Sequence, residues 1–567
     1  MYKRLAEPGD LLEIVEGYRV WPDRPMPESR VRDSRAPDSY AGKSLTERLA
    51  GRFYTPDCLS IDLASQLVAS IDRRRSTARR LIMDPFCGDG RLVVALLLAI
   101  SKDNDLRAAA WHVVLADLEA AAVSKAKQAV SDIAGELSLD VTIATRVGDT
   151  FAQAIGAAYD VIITNPPWEL LKPDSRETAH MTTHEVVAYR AKLRLISDNL
   201  DAAFPNARGE GAWGGWGTNL ARCGWDYCMR SAMPSGVVGI ILPSTLLGDQ
   251  ASRRIRATMF EVCAIADIAA YPSEARLFDR VDQPVVALTL VKDCNRGGGR
   301  LRIFGADRQV ANDLALPQVK DLAQQDYCLP VGFGAQAHRL TGLLIQHAPL
   351  GALEGSAPAG LWMGRELDET RVAEKLVAGL ERPFIKGRMV ARHMIVETPS
   401  QSVHARLCTS FNSIDKPRAV WRDVSRASQR RRMIGSVIPP GWVAGNSLHV
   451  ACFRDGDLQR TKALHAILSS FVLEFQVRSR LTTGHMSLGA VRVARAPQLS
   501  QTMSVRLAKL VDQVTAGDES AADQLEISVA KDYGLSRNDM ITLVDSFPKV
   551  DDAEKSRLLA LKNWSRA

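Results

Sequence analysis

An apolar run, Val161 to Ile163, ends in Thr164-Asn165-Pro166-Pro167-Trp168. Asn165 offers an amide oxygen, Pro166 a carbonyl held by two consecutive prolines, and Trp168 a flat indole face. Two proline rings cannot extend a strand's hydrogen-bond ladder, so the chain must stop here in a stiff, open turn. Two acceptors beside an aromatic face suit a planar ligand that carries an amino group. The bland alternative for Trp168 is a core tryptophan capping a sheet.

Three further stretches put polar residues at the ends of apolar runs. In "DPFCGDG" (84–90), Gly88 and Gly90 allow a tight turn at the head of a helix. Main-chain N–H groups there can receive a nucleotide-like ligand. The spacing is GxG, not GxGxxG, and no GK[ST] follows, so alone it fits a ligand-free turn equally well. Asp117 ends "HVVLAD". An acid at that point can accept from both hydroxyls of a ribose, or cap the helix that follows. Asp149, in "VGDTF", has the same two readings. Four such ends in order, with a glycine turn first and a ribose-type acid second, make one ligand crevice.

These residues require strands that all end on one side. Candidates are 80–85, 112–117, 141–147, 159–165, 236–242, 264–271 and 284–291, with helical patterns between the earlier ones. Continuous apolar strands separated by helices predict a parallel sheet covered on both faces. Such sheets hold ligands at their carboxyl ends. Residues 1–44 read as an irregular arm and 45–295 as the domain holding the crevice. "NRGGGR" (295–300) marks a boundary, and 296–379 a connecting region. Residues 380–502 are mixed and strand-rich, and 503–567 helical.

A chain of 567 residues, 46% hydrophobic, has room for more than one core. Nine scattered cysteines without a CxxC pair give no zinc signature and suit a reducing compartment. No metal is expected. "LVVALLLAI" (92–100) is too short to span a membrane. "MYKRLAEPGD" is followed by no apolar signal core, so a cytoplasmic location is expected. The total charge of +7 is mild. Yet residues 381–440 hold 12 Arg or Lys against 4 Asp or Glu, a net +8 that leaves −1 for the rest of the chain. Charge gathered there suits phosphate contacts.

The combined motifs resemble those of S-adenosylmethionine-dependent DNA adenine-N6 methyltransferases of the gamma motif order. "FCGDG" (86–90) matches the family's FxGxG and "NPPW" (165–168) its catalytic motif. "GRFYTPDCLSIDLASQLV" (51–68) resembles the preceding FYTP element. "GVVGIILPSTLLGDQASRRIRATMF" (236–260) and "LFDRVDQPVVALTLVK" (277–292) resemble later elements. "PFIKGRMVARHMI" (383–395), "KPRAVWRDVS" (416–425), "GNSLHV" (445–450), "LHAILSSFVLEFQVRSR" (464–480) and "KDYGLSRNDMITLV" (531–544) resemble the recognition regions and tail helix of type II restriction-system methylases. The family more often has Tyr or Phe at the place of Trp168. Residues 169–235 form a long insert.

The resemblance implies a Rossmann-like seven-stranded, mostly parallel α/β sheet and a C-terminal α+β target-recognition domain. It implies catalytic roles for Asn165, Pro166, Pro167 and Trp168. It implies cofactor contacts from Tyr54, Thr55, Pro56, Asp84, Pro85, Phe86, Gly88, Gly90, Asp117, Leu118, Asp149 and Asn165. Trp168 and Phe278 would sandwich an extruded base; for Phe278 the alternative is core packing. Lys386, Arg388, Arg422, Arg426, Arg430, Arg431 and Arg432 would meet double-stranded DNA, the dense cluster "RASQRRRM" (426–433) positioning its backbone and not reading bases. Arg253, Arg254 and Arg256 fit phosphate contacts or a surface helix. "GAWGGWGTNLARCGW" (211–225) fits a mobile lid or a packed loop. Methylation without cleavage is expected, beside a separate restriction endonuclease or defence-system subunit, in a bacterial cytoplasm near the nucleoid. The alternatives are an RNA or protein-amide methyltransferase, and a DNA-binding subunit without catalysis.

Overall fold

The computed structural model describes residues 55–567 except 75–78, 172–180, 210–216, 279–282, 295–297, 324–325, 330, 332–334, 426–428, 481–484, 548, 561–563 and 565–567. Tyr54, the 1–44 arm and Arg426 therefore lie outside the described residues. The chain divides into two compact units, Met1–Leu329 and Pro330–Ala567.

In the first unit the strands are β1 (Arg80–Asp84), β2 (Trp111–Asp117), β3 (Val141–Val147), β4 (Tyr159–Thr164), β5 (Leu170–Leu171), β6 (Thr218–Asn219), β7 (Ala232–Pro243), β8 (Ala264–Tyr271), β9 (Val285–Val291), β10 (Arg300–Phe304) and β11 (Val310–Ala315). Nine of them form one sheet in the order β11-β10-β8-β9-β7-β4-β1-β2-β3, and β5 pairs separately with β6. From β7 to β3 neighbouring strands are parallel. β9 enters antiparallel between β7 and β8. Where seven strands were expected, β10 and β11 add two. They lie in the 296–379 stretch read as a connection, so the glycine run at 295–300 does not end this unit.

The principal helices are α1 (Asp57–Ser70), α2 (Arg91–Ile100), α3 (Ala120–Glu136), α4 (Thr183–Ala203), α5 (Leu220–Ser231) and α6 (Arg253–Val262). α1, α2 and α3 share one core with Ile82, Val113, Val161, Ile163 and Val237. The alternate residues Met83, Val114, Ile162 and Val238 are equally buried. Both faces are therefore covered, as unbroken apolar strands require. The apolar run 92–100 is α2, whose Leu92, Val93, Leu96, Leu97 and Ile100 are buried. No helix among the described residues is long and apolar enough to cross a membrane.

β10 is anchored by charge. Arg302 Nε and Nη2 donate to Asp267 at 2.8 and 2.6 Å, and Nη1 and Nη2 to Asp62 on α1 at 2.7 and 2.8 Å. Arg256 is wholly buried, its guanidinium spent on the carbonyls of Leu246, Asp249 and Asp326. This corrects the surface reading of that residue.

In the second unit an antiparallel sheet runs in the order Leu361–Gly364, Leu448–Phe453, Arg418–Arg422, Gly435–Ile438. The helix Leu458–Leu468 packs on it. The helices Gln501–Thr515, Glu519–Asp532 and Arg537–Asp545 contribute to the same core. Residues from 503 onward thus share a core with residues of 380–502.

Candidate active site

β1, β2, β3 and β4 end side by side. At β1, Asp84 leads into the turn and α2 begins after Gly90, which has φ +84°. A Cβ on Gly90 would lie 2.8 Å from Ala126 Cα of α3, so only glycine lets the two helices approach. A Cβ on Gly88 would meet nothing within 4 Å. The Gly88 N–H donates to Asp117 Oδ2 at 3.0 Å, and the Glu119 N–H to Asp117 Oδ1 at 3.0 Å. Asp117 therefore ties the two turns together, and the cap position of α3 falls to Glu119. Leu118, between them, is half-buried. At β3, Asp149 caps a short 3-10 turn, accepting from Phe151 N at 2.9 Å, and burial raises its carboxyl above the ordinary range. Pro85 contributes its carbonyl to the Thr150 hydroxyl at 2.6 Å.

β4 is wired to these turns. Thr164 Oγ1 donates to Asp84 Oδ1 at 2.7 Å, and Phe86 N donates to the same oxygen at 3.1 Å. Asp84 is fully buried, and its Oδ2 has no partner. Burial, with Asp117 and Asp89 adding repulsion against hydrogen bonds from Thr164 and Phe86, pushes its carboxyl up to about 7. Asn165 Nδ2 meets Thr55 Oγ1 at 3.3 Å, which leaves Asn165 Oδ1 buried without a partner. Thr55 in turn presents its carbonyl to Arg91 Nη1 at 2.8 Å, and Pro56 caps α1. Segments 55–56, 84–91 and 164–165 thus form one constellation. Arg91, which the motif reading passed over, is its clasp: it also holds Asp89 through two nitrogens.

Trp168 and Phe278 touch edge to face, with ring centroids 5.1 Å apart and planes at 75°. Phe278 is 4% exposed and lies in the core. The expected sandwich is therefore not open. A base between two rings needs parallel faces about 7 Å apart, twice the carbon–carbon contact distance, so the pair must separate first. Trp168 Nε1 is buried without a partner.

The insert contributes α5, which is buried on nearly all sides. Trp225 belongs to it and is packed, so that end of the glycine–tryptophan stretch is no lid; residues 210–216 lie outside the described set. Gly224 abuts the 165–167 segment: a Cβ there would lie 2.5 Å from Pro166 Cβ and 3.6 Å from Phe86 Cε2. Gly224→Ala is therefore expected to displace Pro166 and lower kcat about a hundredfold, because misplacement near 1 Å costs that much. Wild-type steady-state kinetics in that variant would remove Gly224 from the positioning role.

In the second unit two of the proposed DNA contacts are internal. Arg431 is 6% exposed, and its Nε and Nη1 pair with Glu474 and Glu526 at 2.9 and 3.0 Å. Arg432 is 8% exposed, and its N–H donates to Glu474. Both are corrected from DNA contacts to core residues: the two buried carboxylates draw this arginine run inward. Arg430 bonds Asp551 and Glu554, each at 2.9 Å. Lys386 bonds Glu369 at 2.7 Å. Arg422 donates to the Val390 carbonyl at 2.8 Å. Arg388 is exposed, 3.5 Å from Glu397. A group the sequence did not suggest gathers on Asp423: Arg365 at 2.8 Å, His449 at 2.9 Å and His485 at 3.2 Å.

Residues 58–195 match the family model of the methyltransferase small domain. Curated protein sequences give no match. Among solved structures, a Listeria monocytogenes protein described as a class I S-adenosylmethionine-dependent methyltransferase is similar at 19% identity and TM-score 0.30, covering 42% of this chain and 61% of its own. The type I restriction-modification methyltransferase subunit of Streptococcus thermophilus is similar at 16% identity and TM-score 0.33, covering 51% and 61%. The type IIL restriction-modification enzyme MmeI, solved with DNA, is similar at 11% identity and TM-score 0.47, covering 90% and 75%. This chain thus spans less than two thirds of the first two.

The matched segment is similar to a methyltransferase domain, and S-adenosylmethionine is the cofactor that this similarity supports. The residues present fit it: open space over Gly88, an acid ending β2, and an Asp84 oxygen that no protein group satisfies.

Proposed function

We propose that this protein is a site-specific DNA methyltransferase acting on the N6 amino group of an extruded adenine, in a restriction-modification or phage-defence system. The observation that carries the reading is Asn165 Oδ1, a buried acceptor with no partner on the segment that also presents the Pro166 carbonyl. An exocyclic aromatic amine delocalises its lone pair into its ring. Two acceptors on its N–H bonds favour a more tetrahedral, nucleophilic nitrogen. Positive charge grows on that nitrogen during attack, so these acceptors stabilise the transition state more than the ground state. The cofactor supplies an electrophilic methyl on a sulfonium.

Residues around the crevice divide the remaining work. The Gly88 turn, Asp117 and Asp149 would hold the nucleoside part, and Asp84 Oδ2 with Thr55 the amino-acid end. Extruding a base costs a few kcal/mol. Stacking on Trp168, once it parts from Phe278, returns about 1–3 kcal/mol. In the second unit, Arg365 and Arg388 keep exposed guanidinium groups suited to phosphate or base edges.

One assay tests the reading. The protein is incubated with labelled S-adenosylmethionine and unmethylated DNA, RNA or protein, and modified DNA is sequenced for N6-methyladenine. Label at a defined DNA sequence is expected; label confined to RNA or protein overturns the proposal.

Asp84 gives a pH prediction. Without ligand the fold favours its protonated form. The stability this lends is full below the ordinary value of 3.8 and is lost as pH rises through about 7. An ammonium beside Oδ2 favours the ionised form. Affinity for S-adenosylhomocysteine should therefore rise with pH between those two values, with proton release seen calorimetrically in buffers of different ionisation enthalpy. A pH-independent affinity over that window, or the same slope in Asp84→Asn, counts against the contact.

A further inference from the structure

Among the described residues, Arg392 and Arg432 each leave one buried guanidinium nitrogen without a hydrogen-bond partner, and Arg222, on the helix that rests on Pro166, leaves two. Arg256, Arg302, Arg418 and Arg431 each donate to carboxylates or carbonyls within hydrogen-bond distance. Arg222 is 8% exposed, yet its Nε and Nη1 are buried with no hydrogen-bond partner. The acid one helical turn on, Asp226, is taken by Asn206 through its N–H and Nδ2 at 3.1 and 3.0 Å. Asp201, on α4, accepts the Thr218 hydroxyl at 2.8 Å. A desolvated cation without a counter-charge is among the costliest features a fold can keep, and such groups cluster where ligands bind.

Its place is fixed to the reacting segment from two sides. Arg222 lies in the first turn of α5, where the Asn219 side chain accepts the N–H groups of Ala221 and Arg222. The Leu220 N–H donates to the carbonyl of Glu169, the neighbour of Trp168, at 2.9 Å, and β6 pairs with β5 directly after it. Two residues beyond Arg222, Gly224 rests on Pro166.

We propose that Arg222 is an oxyanion-binding residue of the methyl-transfer site, its missing acceptors arriving with a ligand. The oxyanion has two sources: the amino-acid carboxylate of S-adenosylmethionine, or a backbone phosphate flanking the extruded nucleotide. The inference rests on the methyltransferase reading, and its second source also on the DNA reading. A guanidinium fork matches either group through two parallel bonds.

The test compares the full-length protein with Arg222→Met, which keeps the stem and removes the charge, and with Arg222→Lys. Three quantities are measured: melting temperature, affinity for S-adenosylmethionine against 5′-methylthioadenosine, and affinity for a duplex carrying the methylated sequence at several salt concentrations. The methyl transfer assay runs alongside. In Arg222→Met the melting temperature is expected to hold or rise, since an unpaired buried charge is removed. One ligand should weaken about ten- to a hundredfold, the worth of a charged hydrogen bond, with Arg222→Lys recovering part of it. Weakened S-adenosylmethionine with unchanged 5′-methylthioadenosine, which lacks the carboxylate, assigns the carboxylate. Unchanged cofactor binding with weakened duplex binding, and a salt slope lower by about one, assigns the phosphate. Wild-type affinities for both overturn the proposal, as does loss of both with a lowered melting temperature, the mark of a structural guanidinium. If the wild-type protein binds and methylates no DNA, the DNA reading falls, and the cofactor comparison alone decides Arg222.

Discussion

Replacing Asn165 by alanine is expected to lower kcat about a hundred- to a thousandfold while the fold and cofactor affinity persist. That range is what one preorganised polar group aimed at developing charge is worth. The structure explains why stability should survive. Asn165 makes one long bond, 3.3 Å from Nδ2 to Thr55, and its other polar atom, Oδ1, already lacks a partner. Alanine therefore removes an unsatisfied acceptor along with one hydrogen bond, whose net worth is about 0.5–1.5 kcal/mol. Single-turnover rates with saturating cofactor, beside a cofactor titration and a thermal melt, separate these effects. Undiminished turnover would take the catalytic role away from Asn165, and with it the main support for an amine substrate.

Arg431→Ala should unfold the second unit long before it reveals anything about DNA. The loss is expected at about 3–5 kcal/mol, because Glu474 and Glu526 would stay buried with their shared cation gone. Arg431 also lies over the Phe471 ring at 3.5 Å and donates to the Ser469 carbonyl at 2.8 Å, so packing is lost too. Arg388→Ala serves as the contrast: exposed and 3.5 Å from its acid, it should leave the melt unchanged. Denaturant titration of both variants decides between a core brace and a surface contact. A native-like melt for Arg431→Ala would contradict the brace.

The contrast shows what one-dimensional reading can and cannot see. Strand ends were legible because apolar runs broken by glycine, proline and aspartate carry their own punctuation; β3 and β8 fall on the expected residues. β10 and β11 were not, because "RLRIF" and "VANDLA" are short, broken by Arg, Asn and Asp, and follow a glycine run that looks like a boundary. The fate of Arg431 was invisible because its glutamates lie 43 and 95 residues away. Density of arginine measures charge, not where it points. Thr55 and Asn165, 110 residues apart, meet only once the sheet is built. Gly224 sat in a stretch that read as a loop, and nothing local marks a glycine that another segment needs.

Arg302 has a practical meaning for anyone dissecting this protein. Its guanidinium joins β10 to Asp267 on β8 and to Asp62 on α1, the helix that begins just after Thr55. A fragment cut at the glycine run would keep every motif of the crevice and lose this residue. Two carboxylates would then face each other across a core with no cation, and the helix next to Thr55 would lose its tether. Such a truncation should express poorly, or bind cofactor weakly, for reasons unrelated to catalysis. The smallest fragment worth purifying runs through Leu329, where the first compact unit ends.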